Sequence, residues 1–156
     1  MILEADLAAV DTALAPLWPR LEGAHLFITG GTGFIGRWML EALARAPVDV
    51  QVTLLSRNPA EFAARAPHLA ARFHCVSGDV LDFAPPTGAF THIIHAATDA
   101  SAALNAQDPR RMFDTIVQGT RNALDLAVAC GAQRVLFLSS GAVYGAQPGD
   151  IAHVSE

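Results

Sequence analysis

Apolar residues follow two patterns along the chain, a three-to-four-residue spacing and short continuous runs, and the two alternate. Leu3, Leu7, Val10, Leu14 and Leu17 fall at four-three-four-three spacing, which predicts one helical stripe over 3–17, stopped by Pro16, Pro19 and Gly23. His25-Leu26-Phe27-Ile28-Thr29 is a short apolar run that enters a glycine-rich turn. Phe34 to Ala46 returns to helical spacing, with Ile35, Met39 and Leu43 on one face and Pro47 closing it. Residues 50–55 form a second apolar run, 60–70 a short helix and 72–77 a third run. After the Pro85-Pro86-Thr87-Gly88 loop come a fourth run at 92–97, a long helix at 109–130 ended by Gly131, and a fifth run at 134–139.

Strands separated by helices require right-handed crossovers, so the pattern predicts an α/β fold: a doubly wound parallel sheet covered on both faces. Residues 1–23 form an N-terminal helical extension ahead of that alternation, which occupies 24–156. The long helix carries apolar residues on two sides, Met112, Ile116, Ala123 and Ala127 on one and Phe113, Val117, Leu124 and Val128 on the other. One side covers the sheet, and the other calls for a partner.

Composition narrows the class. At 156 residues, 52% hydrophobic and 16% charged, the chain holds one domain's worth of sequence and a sizeable core, which excludes a disordered or fibrous protein. A formal charge of −5 and no basic stripe argue against nucleic acid as a partner. No apolar run is long enough to span a bilayer, and the acidic start Met1-Ile2-Leu3-Glu4-Ala5-Asp6 lacks the basic region of a signal peptide. Cys75 and Cys130 stand apart, without metal-ligand spacing, so no metal is expected and a reducing, cytoplasmic location is. All ten basic residues are arginine and Tyr144 is the only tyrosine, so no Tyr–Lys pair can be completed within these residues.

Thr29-Gly30-Gly31-Thr32-Gly33-Phe34-Ile35-Gly36 follows a strand and opens a helix. Glycines there let the backbone turn tightly and approach a pyrophosphate, which the helix N-terminus binds through its free N–H groups. The spacing fits G-x-G-x-x-G from Gly31 and G-x-x-G-x-x-G from Gly30. In an NAD-specific fold, an acidic residue about twenty positions on bonds the ribose 2′-hydroxyl. Here that position is Ser56, followed by Arg57, with Arg37 directly after Gly36. A carboxylate repels a 2′-phosphate, whereas a hydroxyl and a guanidinium accept it, so the cofactor is NAD(P), with the balance toward NADP.

The glycine turn containing Phe34-Ile35 resembles that of the extended short-chain dehydrogenase/reductase family, the NAD-dependent epimerase/dehydratases. Gly78-Asp79-Val80, His95-Ala96-Ala97, Gly119-Thr120-Arg121-Asn122 and Ser139-Ser140-Gly141-Ala142-Val143-Tyr144-Gly145 agree with it in order, covering residues 24–156. The resemblance implies a Rossmann fold that binds NAD(P) and stops short of the family's C-terminal strands and substrate region. It implies that Gly30, Gly31, Thr32, Gly33, Phe34, Ile35 and Gly36 shape the phosphate turn. It makes Asp79 and Val80 the adenine pair, and Ala96, Ala97 and Thr98 the residues beside the cofactor ribose. Thr98-Asp99-Ala100-Ser101 is the segment that could touch substrate, and His95 reads as structural. Ser140 matches the catalytic Ser/Thr that bonds the reacting sugar oxygen. Tyr144 belongs to the Val-Tyr-Gly element, and Pro148 stands four places on, so it is not the tyrosine of Tyr-x-x-x-Lys. That signature follows, in the family, a segment similar to His153-Val154-Ser155-Glu156. Ile116 departs from an asparagine common in the family's long helix.

The function implied is the cofactor-binding portion of an NAD(P)-dependent nucleotide-sugar epimerase or dehydratase, catalytically silent by itself and self-associating through the long helix, as family dimers are. The alternative is a non-catalytic module that binds or senses NADP(H). A reading frame that continues past Glu156 into Tyr-x-x-x-Lys favours the first, and a stop codon there favours the second.

Overall fold

The computed structural model describes residues 4–98, 106–146 and 149, and in them the alternation becomes five parallel strands and their crossovers. Helix α1 (Glu4–Leu14) buries Leu7 and leads through a 3₁₀ turn at Trp18–Leu21 into β1 (Ala24–Thr29). Then follow α2 (Phe34–Ala44), β2 (Val50–Ser56), α3 (Pro59–Arg65), α4 (Pro67–Arg72), β3 (His74–Ser77), β4 (His92–His95), α5 (Pro109–Cys130) and β5 (Arg134–Phe137). A 3₁₀ turn at Gly141–Tyr144 follows β5.

The single helix expected over 60–70 is two helices. Proline disfavours helical geometry in the residue before it, and Ala66, ahead of Pro67, has φ −144° and ψ 66°. Its N–H still bonds to Phe62 O and closes α3, while Pro67 opens α4, where a missing N–H costs nothing. Strands β4 and β5 end two residues earlier than their apolar runs suggested, at the paired residues His95 and Phe137. The chain leaves the sheet there to border a cleft.

The strand order is β3-β2-β1-β4-β5, all parallel. Successive connections leave β1 in opposite directions, so the crossovers diverge between β1 and β4, where doubly wound sheets bind ligands. Each sheet face has its own core. Leu26, Ile28, Val52 and Leu54 pack with Leu40, Leu43, Phe62, Leu69 and Trp18 on one side. Phe27, Leu55 and Ile93 pack with Val80, Phe90, Ala123, Leu126 and Ala127 on the other. Trp18 lies outside the helical stripe read from sequence, yet it is only 5% exposed, so the N-terminal segment is built into the first core. Arg45 ties it down further, its Nε donating to Asp11 Oδ2 at 2.7 Å and its Nη2 to Glu4 Oε1 at 2.9 Å.

Helix α5 is capped at both ends: Asp108 Oδ1 accepts the Arg111 N–H at 3.0 Å, and Gly131 takes a left-handed φ of +66°. Its sheet side is Thr115, Gly119, Ala123, Leu126 and Ala127. Ile116, assigned to that side from spacing, points outward instead, with Phe113, Val117, Leu124 and Val128. Strand β5 is a sheet edge whose Val135, Leu136 and Phe137 are exposed. An open apolar groove of about 590 Å³ runs beside it, between Trp18, Met39, Leu43, Ile94 and Leu136. No described helix is long and apolar enough to cross a membrane.

Three histidines on β1 and β4 give the fold a pH dependence. Burial lowers the pKa of His25, His92 and His95, with His74 adding to the effect at His25 and Arg134 at His92. The unfolded chain therefore takes up protons first, as pH falls below the ordinary histidine value of about 6.5. Stability present above that pH is lost as pH drops toward the depressed folded values. Urea midpoints are expected to fall between pH 7.5 and 5.5, and a flat or rising midpoint would contradict the assignment.

Candidate functional site

At the C-terminal end of β1 the chain turns at Gly30, which has φ +72°. A Cβ there would lie 2.5 Å from the Ala96 carbonyl carbon and 2.6 Å from Ala97 N, so both conformation and space require glycine. A Cβ at Gly36 would overlap Gly30 O, and one at Gly31 would come within 3.0 Å of Leu54 Cδ2. Gly33 differs. Its φ of −77° and ψ of −175° are open to any residue, and a Cβ would meet only Gly30 O, at 3.3 Å. Gly33 is the N-cap of α2, and no side chain caps that helix. Its first N–H groups thus offer themselves to an anion in front of the turn.

Thr29 joins this turn to β4. Ala97 N–H donates to Thr29 Oγ1 at 3.2 Å, and Oγ1 lies 2.8 Å from His95 Nδ1. Burial holds the His95 ring below its ordinary pKa and therefore neutral at pH 7. The ring stacks on Phe137 of β5 at 5.8 Å. His95 thus fastens three adjacent strands at their C-terminal ends.

After β2, buried Ser56 accepts the Asn58 N–H at 3.2 Å, and Arg57 is exposed beside it. After β3, Asp79 Oδ1 accepts the Leu81 N–H at 3.0 Å, which fixes the Asp79–Asp82 turn. Asn122 of α5 donates to Val80 O at 2.9 Å and to Leu81 O at 2.8 Å. Gly119, one turn earlier, admits Val80: a Cβ there would lie 2.6 Å from Val80 Cγ2.

These ends enclose a cleft of about 180 Å³ that brings together Gly30, Thr32, Gly33, Ser56, Arg57, Asp79, Val80, Ala96, Ala97 and Thr98. Thr29, Gly78, Arg111 and Thr115 line it as well. Of these, Arg111 and Thr115 carry no motif, and only the helical period of α5 could have placed them there. A second cleft of about 140 Å³ shares Thr32, Ser56 and Arg57 and adds Arg37, Asn58 and Arg65. Arg37 Nε is buried with no hydrogen-bond partner among the described residues.

Five expected site residues do not line the first cleft. Gly31 and Gly36 lie behind the turn and make its curvature possible, while Phe34 and Ile35 point outward from α2 and are exposed. Ser140 is exposed on the loop after β5, where its carbonyl accepts the Val143 N–H at 3.2 Å. Asp99, Ala100, Ser101, Pro148 and residues 153–156 lie outside the described residues. Among the described residues, no cluster of His, Cys, Asp and Glu could hold a metal ion.

The family model described as "NAD dependent epimerase/dehydratase family" matches residues 26–155. The chain is 34% identical over 127 residues to cinnamoyl-CoA reductase 1 of Oryza sativa subsp. japonica, covering 75% of this chain and 35% of that protein. It is 32% identical over 131 residues to dTDP-glucose 4,6-dehydratase of Streptomyces griseus, covering 78% of this chain and 39% of the relative. It superposes on UDP-glucose-4-epimerase of Stenotrophomonas maltophila, solved with bound NAD and formylated UDP-arabinopyranose, with a TM-score of 0.70. That likeness, at 24% identity over 84% of this chain and 40% of the other, shows a shared fold. The chain therefore spans 35–39% of the length of these two relatives.

The glycines separate by role, and substitution should expose the difference. Gly33→Val keeps an allowed backbone but fills the space in front of the turn, so it should fold and lose dinucleotide binding. Gly36→Ala drives a Cβ into Gly30 O and should lower stability by more than about 1 kcal/mol. Thermal melts and calorimetric titration with NADP+ read the two effects, and a folded Gly33→Val variant that still binds would place the phosphate elsewhere.

Proposed function

The chain belongs to the NAD dependent epimerase/dehydratase family, and from that premise we propose that it is the cofactor-binding portion of an NADP-dependent enzyme acting on nucleotide sugars. The observation that carries the reading is the meeting of two clefts at Ser56 and Arg57, directly beside a glycine turn. The first cleft has the parts a dinucleotide needs. The pyrophosphate sits in front of Gly33, on the uncapped N-terminus of α2. Adenine meets the Asp79 carboxylate and the Val80 N–H, while Ala96, Ala97 and Thr98 leave room for ribose. A 2′-phosphate enters the second cleft, between Ser56 and Arg57, and its charge also offsets Arg37, whose Nε has no hydrogen-bond partner among the described residues.

The dinucleotide, when bound, supplies the hydride acceptor and donor for a sugar carbon. The residues described here bind and orient. Ser140 projects from the loop after β5, at the same C-terminal edge of the sheet as the cleft, and bonds the reacting sugar oxygen. Removing that oxygen's proton needs a general base, the role of a Tyr–Lys pair that cannot be completed within these residues. With no lysine in the sequence to pair with a tyrosine, these 156 residues alone are expected to bind cofactor without turnover. A second reading, reduction of a coenzyme A thioester, is favoured by the 34% identity to a cinnamoyl-CoA reductase. Product analysis of the full-length protein separates the two: an epimerised or dehydrated sugar from UDP-glucose or dTDP-glucose with no net change in cofactor supports the first, and stoichiometric NADPH oxidation with cinnamoyl-CoA supports the second.

Self-association is part of the proposal. Phe113, Val117, Leu124 and Val128 are exposed on one outward side of α5, which a second copy covers. Val128→Asp should shift the protein toward monomer in light scattering, and an unchanged mass would remove α5 from the interface.

Cofactor choice gives the main test. NADP(H) should bind about 10- to 100-fold more tightly than NAD(H), the range of a charge-assisted hydrogen bond. Arg57→Ala should narrow that gap by weakening NADP(H) alone. Calorimetry showing NAD bound equally well would remove the NADP assignment and leave the family and fold untouched.

A further inference from the structure

We infer that Arg111 is a phosphate clamp, closing the dinucleotide cleft from the helix side and binding the pyrophosphate that NAD and NADP share. The inference rests on the dinucleotide reading above and extends it to a residue in no recognised motif. Arg111 is the third residue of α5 and lines the same cleft as Gly30, Gly33 and Thr98, whereas Arg110 beside it does not. Its backbone is held on both sides: the N–H donates to Asp108 Oδ1 at 3.0 Å, and the carbonyl accepts Thr115 Oγ1 at 2.9 Å. Thr115 is buried and also lines the cleft, so the turn that carries the guanidinium has a fixed place beside it.

Charge points the same way. Arg37, Arg45 and Arg65 each pair with a described carboxylate, and Arg111 pairs with none of them. Among the described residues lining the cleft, Asp79 is the one carboxylate, and its Oδ1 already accepts the Leu81 N–H. Arg111 therefore borders a cleft whose one described carboxylate is already engaged, and a planar, forked donor there matches phosphate oxygens. Arg57 and Arg111 then divide the work. Arg57 reads the 2′-phosphate, and Arg111 binds the phosphates common to both cofactors.

That division sets the experiment. Calorimetry on the protein and on Arg111→Gln, Arg111→Lys and Arg110→Gln uses NADP+, NAD+ and 2′-AMP, which carries the 2′-phosphate without a pyrophosphate. Arg111→Gln should lose about tenfold or more for both dinucleotides and nothing for 2′-AMP. Arg111→Lys, which keeps the charge, should recover part of that loss, and Arg110→Gln should bind as the parent does. Unchanged dinucleotide affinity in Arg111→Gln overturns the clamp. So does a loss shared with 2′-AMP, which would assign Arg111 to the 2′-phosphate, or an equal loss in Arg110→Gln, which would make the effect long-range charge. A parent protein that binds neither dinucleotide overturns the clamp together with the dinucleotide reading.

Discussion

The site depends on a crowded crossing between two strand ends. The backbone of Gly30 passes so close to Ala96 and Ala97 that no Cβ fits between them. That approach is possible because β1 and β4 are neighbours in the sheet, with Thr29 opposite His95. The Thr29 hydroxyl then fills the one polar position at the crossing, between Ala97 N–H and His95 Nδ1. Close packing of backbone against backbone leaves no slack, so the direction in which α2 departs is fixed, and with it the direction of its free N–H groups. The cleft is the space left in front of that crossing.

The far wall is held by a different device. The loop after β3 is secured by α5. Gly119 makes room for Val80, and Asn122 takes the two carbonyls at Val80 and Leu81. A helix interior is an unusual place for glycine, at a cost of about 1 kcal/mol relative to alanine. Here that cost is offset by the close approach of a buried valine and the two hydrogen bonds that follow one turn later. The resemblance drew attention to Gly119 and Asn122 as part of a motif. Their geometry gives the physical reason for the spacing: the residue that fastens the loop stands three positions, about one turn, after the one that admits it.

Much of the fold was legible because its elements are governed by local signals. Apolar runs between turn residues located all five strands, and Pro109 and Gly131 bounded α5 to the residue. Failures came where a distant contact or a single backbone preference decides. Trp18 is buried by packing against β1 and α2, which no periodicity in its own segment announces. Pro67 split a helix whose apolar spacing looked continuous. Ile116 was placed by period alone, and a shift of one position on a helix moves a side chain about 100° around the axis. In the cleft, residues at strand ends were legible because the parallel topology gathers them at one edge. Arg111 and Thr115 were not, because they reach the cleft from a helix that enters it sideways.

Net charge misleads at this site. The chain carries −5 overall, which taken alone disfavours an anionic ligand. Screening in physiological salt limits surface charges to about 8 Å, so a ligand in the cleft responds to the groups around it and hardly to the total. Those groups are cationic: Arg57 and Arg111 border the first cleft, Arg37 and Arg65 the second, and an uncapped helix end lies between them. Of the described acids at these clefts, Glu41 and Glu61 pair with Arg37 and Arg65, and Asp79 accepts the Leu81 N–H. Arginine is suited to the task because it stays charged when partly desolvated and donates in a fixed plane. A chain without lysine therefore concentrates its anion-binding capacity in a few guanidinium groups, and at this end of the sheet their positions, rather than their number, set the sign that a dinucleotide meets.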